Sequence, residues 1–223
     1  MKRFRRKVYD FLMSRNAGKY LVRKGMNSLF PGSKKYWEKR YSKNGNSGSG
    51  SYGEKAAYKA GIINQFVKQN NIQKIIEVGC GDGNQLKQFS FPEYIGLDVS
   101  PTAIRLCKDI FKEDASKQFL LYDEKEIDRT LEGLNAELSL SLDVIYHLVE
   151  DEVYEKYMHR LFSISSHYVI IYAWDVEVAK KFHVRHRNFS KWITENITGY
   201  QLKERITQSP YCDFFIYEKL IKV

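Results

Sequence analysis

Apolar positions along the chain recur with two periods, and the alternation between those periods sketches an architecture. Over residues 54–70 the apolar side chains Ala57, Ile62, Ile63, Phe66 and Val67 fall at helical spacing. Directly after it, Ile75-Ile76-Glu77-Val78 is a β-branched run of the kind that makes a strand. Residues 85–89 supply a short crossover, and a second strand reads from Tyr94 to Val99. Ser100-Pro101 then combines an N-cap with proline at the first helical position. It opens a helix through about residue 111 whose inward face would hold Ala103, Ile104, Leu106, Cys107, Ile110 and Phe111. Strands follow at 118–122 and 137–144, and at 168–173 a third is almost wholly apolar, as a strand buried on both faces should be. A helix over 150–165 separates the last two, another spans 189–196, and 201–208 with 212–219 read as a closing antiparallel pair around Ser209-Pro210. Helix and strand alternate without internal repeat, which predicts an α/β fold with a mostly parallel sheet.

The first 43 residues do not fit that alternation. Phe4, Val8, Phe11 and Leu12 line one helical face with Arg3, Arg5, Arg6 and Lys7 around the other, and apolar clusters at residues 20–22 and at Met26, Leu29 and Phe30 precede Pro31-Gly32. The net charge of the chain is +9, but residues 1–43 hold fourteen Lys and Arg against Asp10 and Glu38, so this arm carries +12 and the remainder −3. A basic amphipathic arm can lie on an anionic membrane surface, contact nucleic-acid phosphates, or pack on the core or a second subunit. Nucleic acid ranks behind the membrane, because the aromatics sit on the apolar face and are not interleaved for base stacking. No apolar run approaches the ~20 residues of a membrane span, and no signal-peptide core is present. Cys80, Cys107 and Cys212 are odd in number and lack C-x-x-C spacing, which suits reduced thiols in a cytoplasmic protein, peripheral at the inner membrane face if the arm docks there. Residues 44–53, rich in Gly, Ser and Asn, are either a linker from arm to core or a lid, with Tyr52 placed to reach a site.

The chemistry concentrates where the first strand breaks. Gly79-Cys80-Gly81-Asp82-Gly83-Asn84 is a glycine-rich turn that would present backbone N–H groups to a ligand. Asn84 stands where a dinucleotide fingerprint wants glycine, so the pattern is G-x-G-x-G and not G-x-G-x-x-G. Glu77 precedes the glycines, and Asp98 ends the second strand, placed to accept from both hydroxyls of a ribose diol. Two acids beside the turn suit a cationic ligand better than a pyrophosphate.

An acid, G-x-G-x-G and a second acid after the next strand resemble the class I methyltransferases that bind S-adenosylmethionine. The resemblance implies a Rossmann-like seven-stranded, mostly parallel sheet with a C-terminal antiparallel hairpin and helices on both faces, here behind a basic helical N-terminal arm. It implies that Glu77, Gly79, Gly81, Asp82 and Gly83 hold the cofactor, Asp82 and Glu77 at its cationic end, with Asp98 on the ribose. Asp123, at the end of the third strand, would then reach the adenine amino group, unless it is a surface acid. In the same family the end of strand four borders the acceptor, and the residues after strand five lie on the same ligand-binding edge of a parallel sheet. That makes Tyr146, Arg185 and Arg187 candidate acceptor contacts, the arginines for an anionic acceptor, and His147, His183 and His186 candidate general bases, His147 foremost. His147 could equally be a core histidine. A metal held by His183 and His186 with Asp143 or Asp175 is not supported, because no third ligand has motif spacing. Tyr36-Trp37-Glu38-Lys39-Arg40-Tyr41, Gly45-Asn46-Ser47-Gly48 and Gly50-Ser51-Tyr52-Gly53 are similar to runs in small methyltransferases associated with bacterial surface-polysaccharide biosynthesis. With no Asn-Pro-Pro-Tyr after strand four, the expectation is O-methylation of a small-molecule or glycan acceptor by a domain spanning 54–223. The alternatives are an RNA methyltransferase tethered by residues 1–43 and a catalytically silent cofactor-binding subunit.

Overall fold

The computed structural model describes residues 30–122, 133–178, 183–207 and 212–220. In chain order the helices and strands are α1 (Ser33–Tyr41), α2 (Gly53–Gln69), β1 (Lys74–Val78), β2 (Glu93–Asp98), α3 (Pro101–Ile110), β3 (Lys117–Leu121), β4 (Ala136–Leu142), α4 (Asp151–Ser163), β5 (Ser165–Ala173), α5 (Phe189–Asn196), β6 (Tyr200–Ile206) and β7 (Asp213–Lys219). Short 3₁₀ turns lie at Ser49–Ser51, Leu86–Gln88 and Ile145–His147. The strands form one sheet in the order β3-β2-β1-β4-β5-β7-β6. Neighbours from β3 through to β5 pair in parallel, and β7 runs antiparallel between β5 and β6. This is the expected Rossmann-like sheet with its terminal hairpin.

Alternation along the strands makes two cores. Ile75, Leu138, Leu140 and Ile170 pack with Ile63, Phe66, Ile104 and Cys107 from α2 and α3. On the other face Ile76, Val78, Leu97 and Ile171 meet Tyr157 and Leu161 of α4 and Phe189 and Ile193 of α5. Each such side chain, fully buried, contributes roughly 1.5–3 kcal/mol. Strand order reverses beside β1, with β2 on one side and β4 on the other, so a crevice opens at their carboxyl ends.

Several expectations need correction. In α2 the inward positions are Ala56, Lys59, Ala60, Ile63, Phe66 and Val67, while Ala57 is exposed. Ile110 is 42% exposed at the end of α3. Strand β4 stops at Leu142, two residues early, because Asp143 turns the backbone into the left-handed region at φ 62. The apolar and basic cluster of residues 4–14, the apolar cluster at 20–22, and Asp123 lie outside the described residues.

Candidate active site

The turn after β1 is shaped by what has no side chain. Gly79 and Gly81 adopt φ 89 and φ 61, which favour glycine. A Cβ on Gly79 would stand 2.5 Å from Val144 Cγ2, and one on Gly81 would collide with the Ser47 hydroxyl. Gly83 packs the far side of the turn against Cys107 and Phe111. The Gly79 and Cys80 amides donate to the Leu97 carbonyl at 2.7 and 3.0 Å, fixing the turn to β2.

The acids around the turn separate into two roles. Asp98 is 7% exposed and accepts from the Gly81 amide at 3.0 Å and the Ser100 amide at 2.9 Å. Burial pushes its carboxyl up to about 6 against those bonds. Glu77, buried inside β1, accepts from the Tyr94 hydroxyl at 2.6 Å, and burial pushes it up to about 7. Asp82 instead accepts from the Ser47 amide at 2.9 Å and the Tyr52 hydroxyl at 2.7 Å. Asp82 and Tyr52 therefore tie residues 47–52 to the turn, and neither is among the residues that line the cavity beside it.

That cavity takes in about 880 Å³, its open mouth included, at the carboxyl ends of β1, β2 and β4. Glu77, Gly79, Gly81, Asp98 and His147 line it. Helix α1 crosses above and is fastened at both ends. Ser33 donates from its amide to Glu150 at 2.8 Å and from its hydroxyl to the His147 carbonyl at 2.8 Å. At the other end Glu38 accepts from the hydroxyls of Ser100 and Thr102, the residues that begin α3. Residues 44–53 continue along the turn, and the Ser51 carbonyl accepts from Asn84 at 2.8 Å.

On the β4 side, side chains from distant parts of the chain converge. Lys59 of α2 is 1% exposed, and its ammonium lies 2.7 Å from Asp143 Oδ2. The Tyr146 hydroxyl donates to Asp143 Oδ1 at 2.8 Å. His147 packs edge-on against Trp37 at 4.8 Å and parallel to His183 at 5.8 Å. Its Nδ1 lies 3.2 Å from the His183 carbonyl; since a carbonyl only accepts, Nδ1 carries the proton and Nε2 the lone pair. Burial draws its pKa down to about 4, so the ring is neutral near pH 7.

The other sequence candidates after β5 have partners within the fold. Arg185 donates to Asp151 at 2.7 Å, and Arg187 donates to the Leu148 carbonyl, the Val149 carbonyl and Asp151 while lying over the Tyr154 ring at 4.3 Å. Both arginines thereby clamp the loop that carries His147. His183 stacks on Tyr36 at 4.6 Å, and His186 is buried between Tyr146 and Trp174, away from the cavity wall. Among the described residues no group of three or more His, Cys, Asp or Glu is placed to hold a metal ion. Sequence reasoning overlooked Lys59, Trp37 and Gln85 as cavity or pair residues. A lysine on the apolar face of α2, one turn after Ala56, was the available signal for the first.

Solved structures share this fold. The N-methyltransferase NodS from Bradyrhizobium japonicum WM9, in complex with S-adenosylhomocysteine, superposes with a TM-score of 0.65 at 14% identity, over 84% of this chain and 98% of that one. Magnesium protoporphyrin IX methyltransferase from Synechocystis PCC 6803, with the same product bound, gives 0.57 at 16% identity over 90% and 99%. The methyltransferase domain of bacterial CtHen1-C gives 0.56 at 18% over 74% and 98%. The chain has their fold. No protein-family model matches the sequence, and no curated protein does.

Proposed function

We propose that this chain is a class I S-adenosylmethionine-dependent methyltransferase that O-methylates a small-molecule or glycan acceptor, in surface-polysaccharide biosynthesis. The observation that carries it is the convergence of Gly79, Gly81 and the Asp98 carboxylate on one cavity roofed by α1. The residues present fit the cofactor: Gly79, Gly81 and Asp98 line one cavity, and the acids there suit a sulfonium. When bound, S-adenosylmethionine supplies a methyl group for in-line displacement.

The chain's own residues would do the rest. Asp98 uses one lone pair on each oxygen for Gly81 and Ser100, and each oxygen keeps another for a ribose hydroxyl. Helix α1 excludes water, and Trp37 and Leu148 give the cavity apolar walls. His147, neutral with Nε2 unprotonated, takes the acceptor's proton as the acceptor is held about 3 Å from the methyl. The solved neighbours act on different acceptors by name, so the glycan assignment is supported by the residue 36–53 runs and not by the fold. Residues 1–43, with +12, would dock the protein peripherally on an anionic inner membrane face.

Thermal unfolding with S-adenosylhomocysteine tests the reading. Ligand at about 100 times its Kd adds roughly 2.7 kcal/mol, a rise of about 5–11 °C for a domain of this size. Asp98→Ala should abolish the rise, and NAD should produce none. No rise at saturating product overturns the proposal.

A further inference from the structure

The glycine turn is held from behind by a sulfur. Cys107, fully buried on α3, donates its thiol hydrogen to the Gly81 carbonyl at 3.2 Å. Among the described residues the other donor to that carbonyl is the Cys80 thiol, farther off at 4.0 Å. The Cys107 sulfur also fills the space that Gly83 leaves, where a Cβ would stand 3.0 Å from it. A thiol is a weak donor. Its removal is costly all the same, because a buried carbonyl left without a partner keeps its full desolvation penalty.

The Gly81 carbonyl shares a peptide unit with the Asp82 amide, and a trans peptide is planar with its C=O and N–H on opposite sides. That amide donates to the Ser47 hydroxyl at 3.0 Å. Ser47 lines the cavity, and its own amide donates to the Asp82 carboxylate at 2.9 Å. One rigid peptide plane therefore links α3 on one side to residues 47–52 on the other. The Gly81 amide, in the preceding unit, donates to Asp98 at 3.0 Å. A glycine at φ 61 has other conformations open to it, and these bonds select one.

We infer that Cys107 is a positioning residue for the cofactor: its thiol fixes the Gly81–Asp82 peptide, which holds Gly81 against Asp98 and keeps Ser47 at the cavity wall. This rests on the methyltransferase reading above. Calorimetric titration with S-adenosylhomocysteine tests it. Serine and alanine fill nearly the same volume and differ by one hydroxyl donor, so comparing them separates the hydrogen bond from the packing. Cys107→Ser should bind within about threefold of wild type, whereas Cys107→Ala should bind about tenfold or more weakly. Cys107→Val, which restores volume without a donor, should be as weak as Cys107→Ala. Equal affinities for the serine and alanine variants, or wild-type affinity in Cys107→Val, overturn the assignment, since Cys107 would then only fill space. Ser47→Ala should weaken binding in the wild-type background but by less than about twofold further in Cys107→Ala, because both remove support from one peptide. Fully multiplicative losses overturn the link. Hydrogen exchange at the Asp82 amide needs no variant to fold: in unliganded wild type that amide should be protected, and exchange at the rate of an unfolded chain overturns the inference. Failure of wild type to bind S-adenosylhomocysteine sinks the methyltransferase reading and this inference together, whereas binding that treats serine and alanine alike sinks the positioning role alone.

Discussion

The two sides of β1 solve the same placement problem by different means. Toward β2 the site is made of backbone: glycines at positive φ, amides bonded to the Leu97 carbonyl, and one carboxylate, Asp98, that itself organises two amides. Toward β4 it is made of side chains distant in sequence. Lys59 meets Asp143 across 84 residues, Ser33 meets Glu150 across 117, and Trp37 packs on His147. The difference teaches where each half is vulnerable. A backbone-built half resists change of side chains other than its glycines and Asp98, whereas the other half depends on partners that single substitutions leave stranded.

The largest effect should come from stranding a charge. Lys59→Met leaves the Asp143 carboxylate uncompensated beside a buried cavity wall, and urea denaturation should show a loss of about 3–5 kcal/mol. A loss below about 1 kcal/mol would mean that the β4 side does not depend on this pair.

Next in size is the pH response of His147. Its folded pKa of about 4 lies below the ordinary value of 6.5, so its contribution is fully present above pH 6.5 and is lost as pH falls toward 4. That contribution amounts to about 3 kcal/mol. Glu77 and Asp98, raised to about 7 and 6, act in the opposite sense: their contributions are present in acid and lost as pH rises through those values. Subtracting the stability–pH profile of His147→Asn from that of wild type isolates the histidine. The difference should rise with pH between about 4 and 6.5 and then level. A flat difference would place His147 in water and remove it as the neutral base.

The smallest effects should come from the clamp. Arg187, with its side chain 9% exposed, holds two carbonyls and Asp151, so Arg187→Ala should cost about 1–3 kcal/mol. Arg185 meets the same Asp151, which is 64% exposed, so Arg185→Ala should cost less than about 1 kcal/mol. Neither should raise the KM for the acceptor once folded protein is compared. A raised KM with stability unchanged would restore the arginines to an anionic-acceptor role and break the contrast between the two sides.

Much of this molecule followed from local rules. The period-2 and period-3.6 patterns placed the strands and helices because each element must bury one face. Ser100-Pro101 began α3 where it was expected, with the Ser100 hydroxyl accepting from the Ala103 amide at 3.1 Å. The glycine turn and Asp98 were legible for the same reason: backbone conformation and the end of a strand are set by residues within a few positions. What tertiary structure alone decided were the partners of charged and polar side chains. Arg185 and Arg187 read as a basic site, and folding set Asp151 beside them; Asp82 read as a cofactor acid, and Ser47 and Tyr52 bond to it; Gln85, which lines the cavity, carried no signal as a site residue. A side chain's role depends on which group across the fold meets its last few ångströms, and that meeting is fixed by the packing of whole elements. The amino-acid order determined the scaffold and the glycine turn; the packing of α1 over the sheet decided which residues line the cavity.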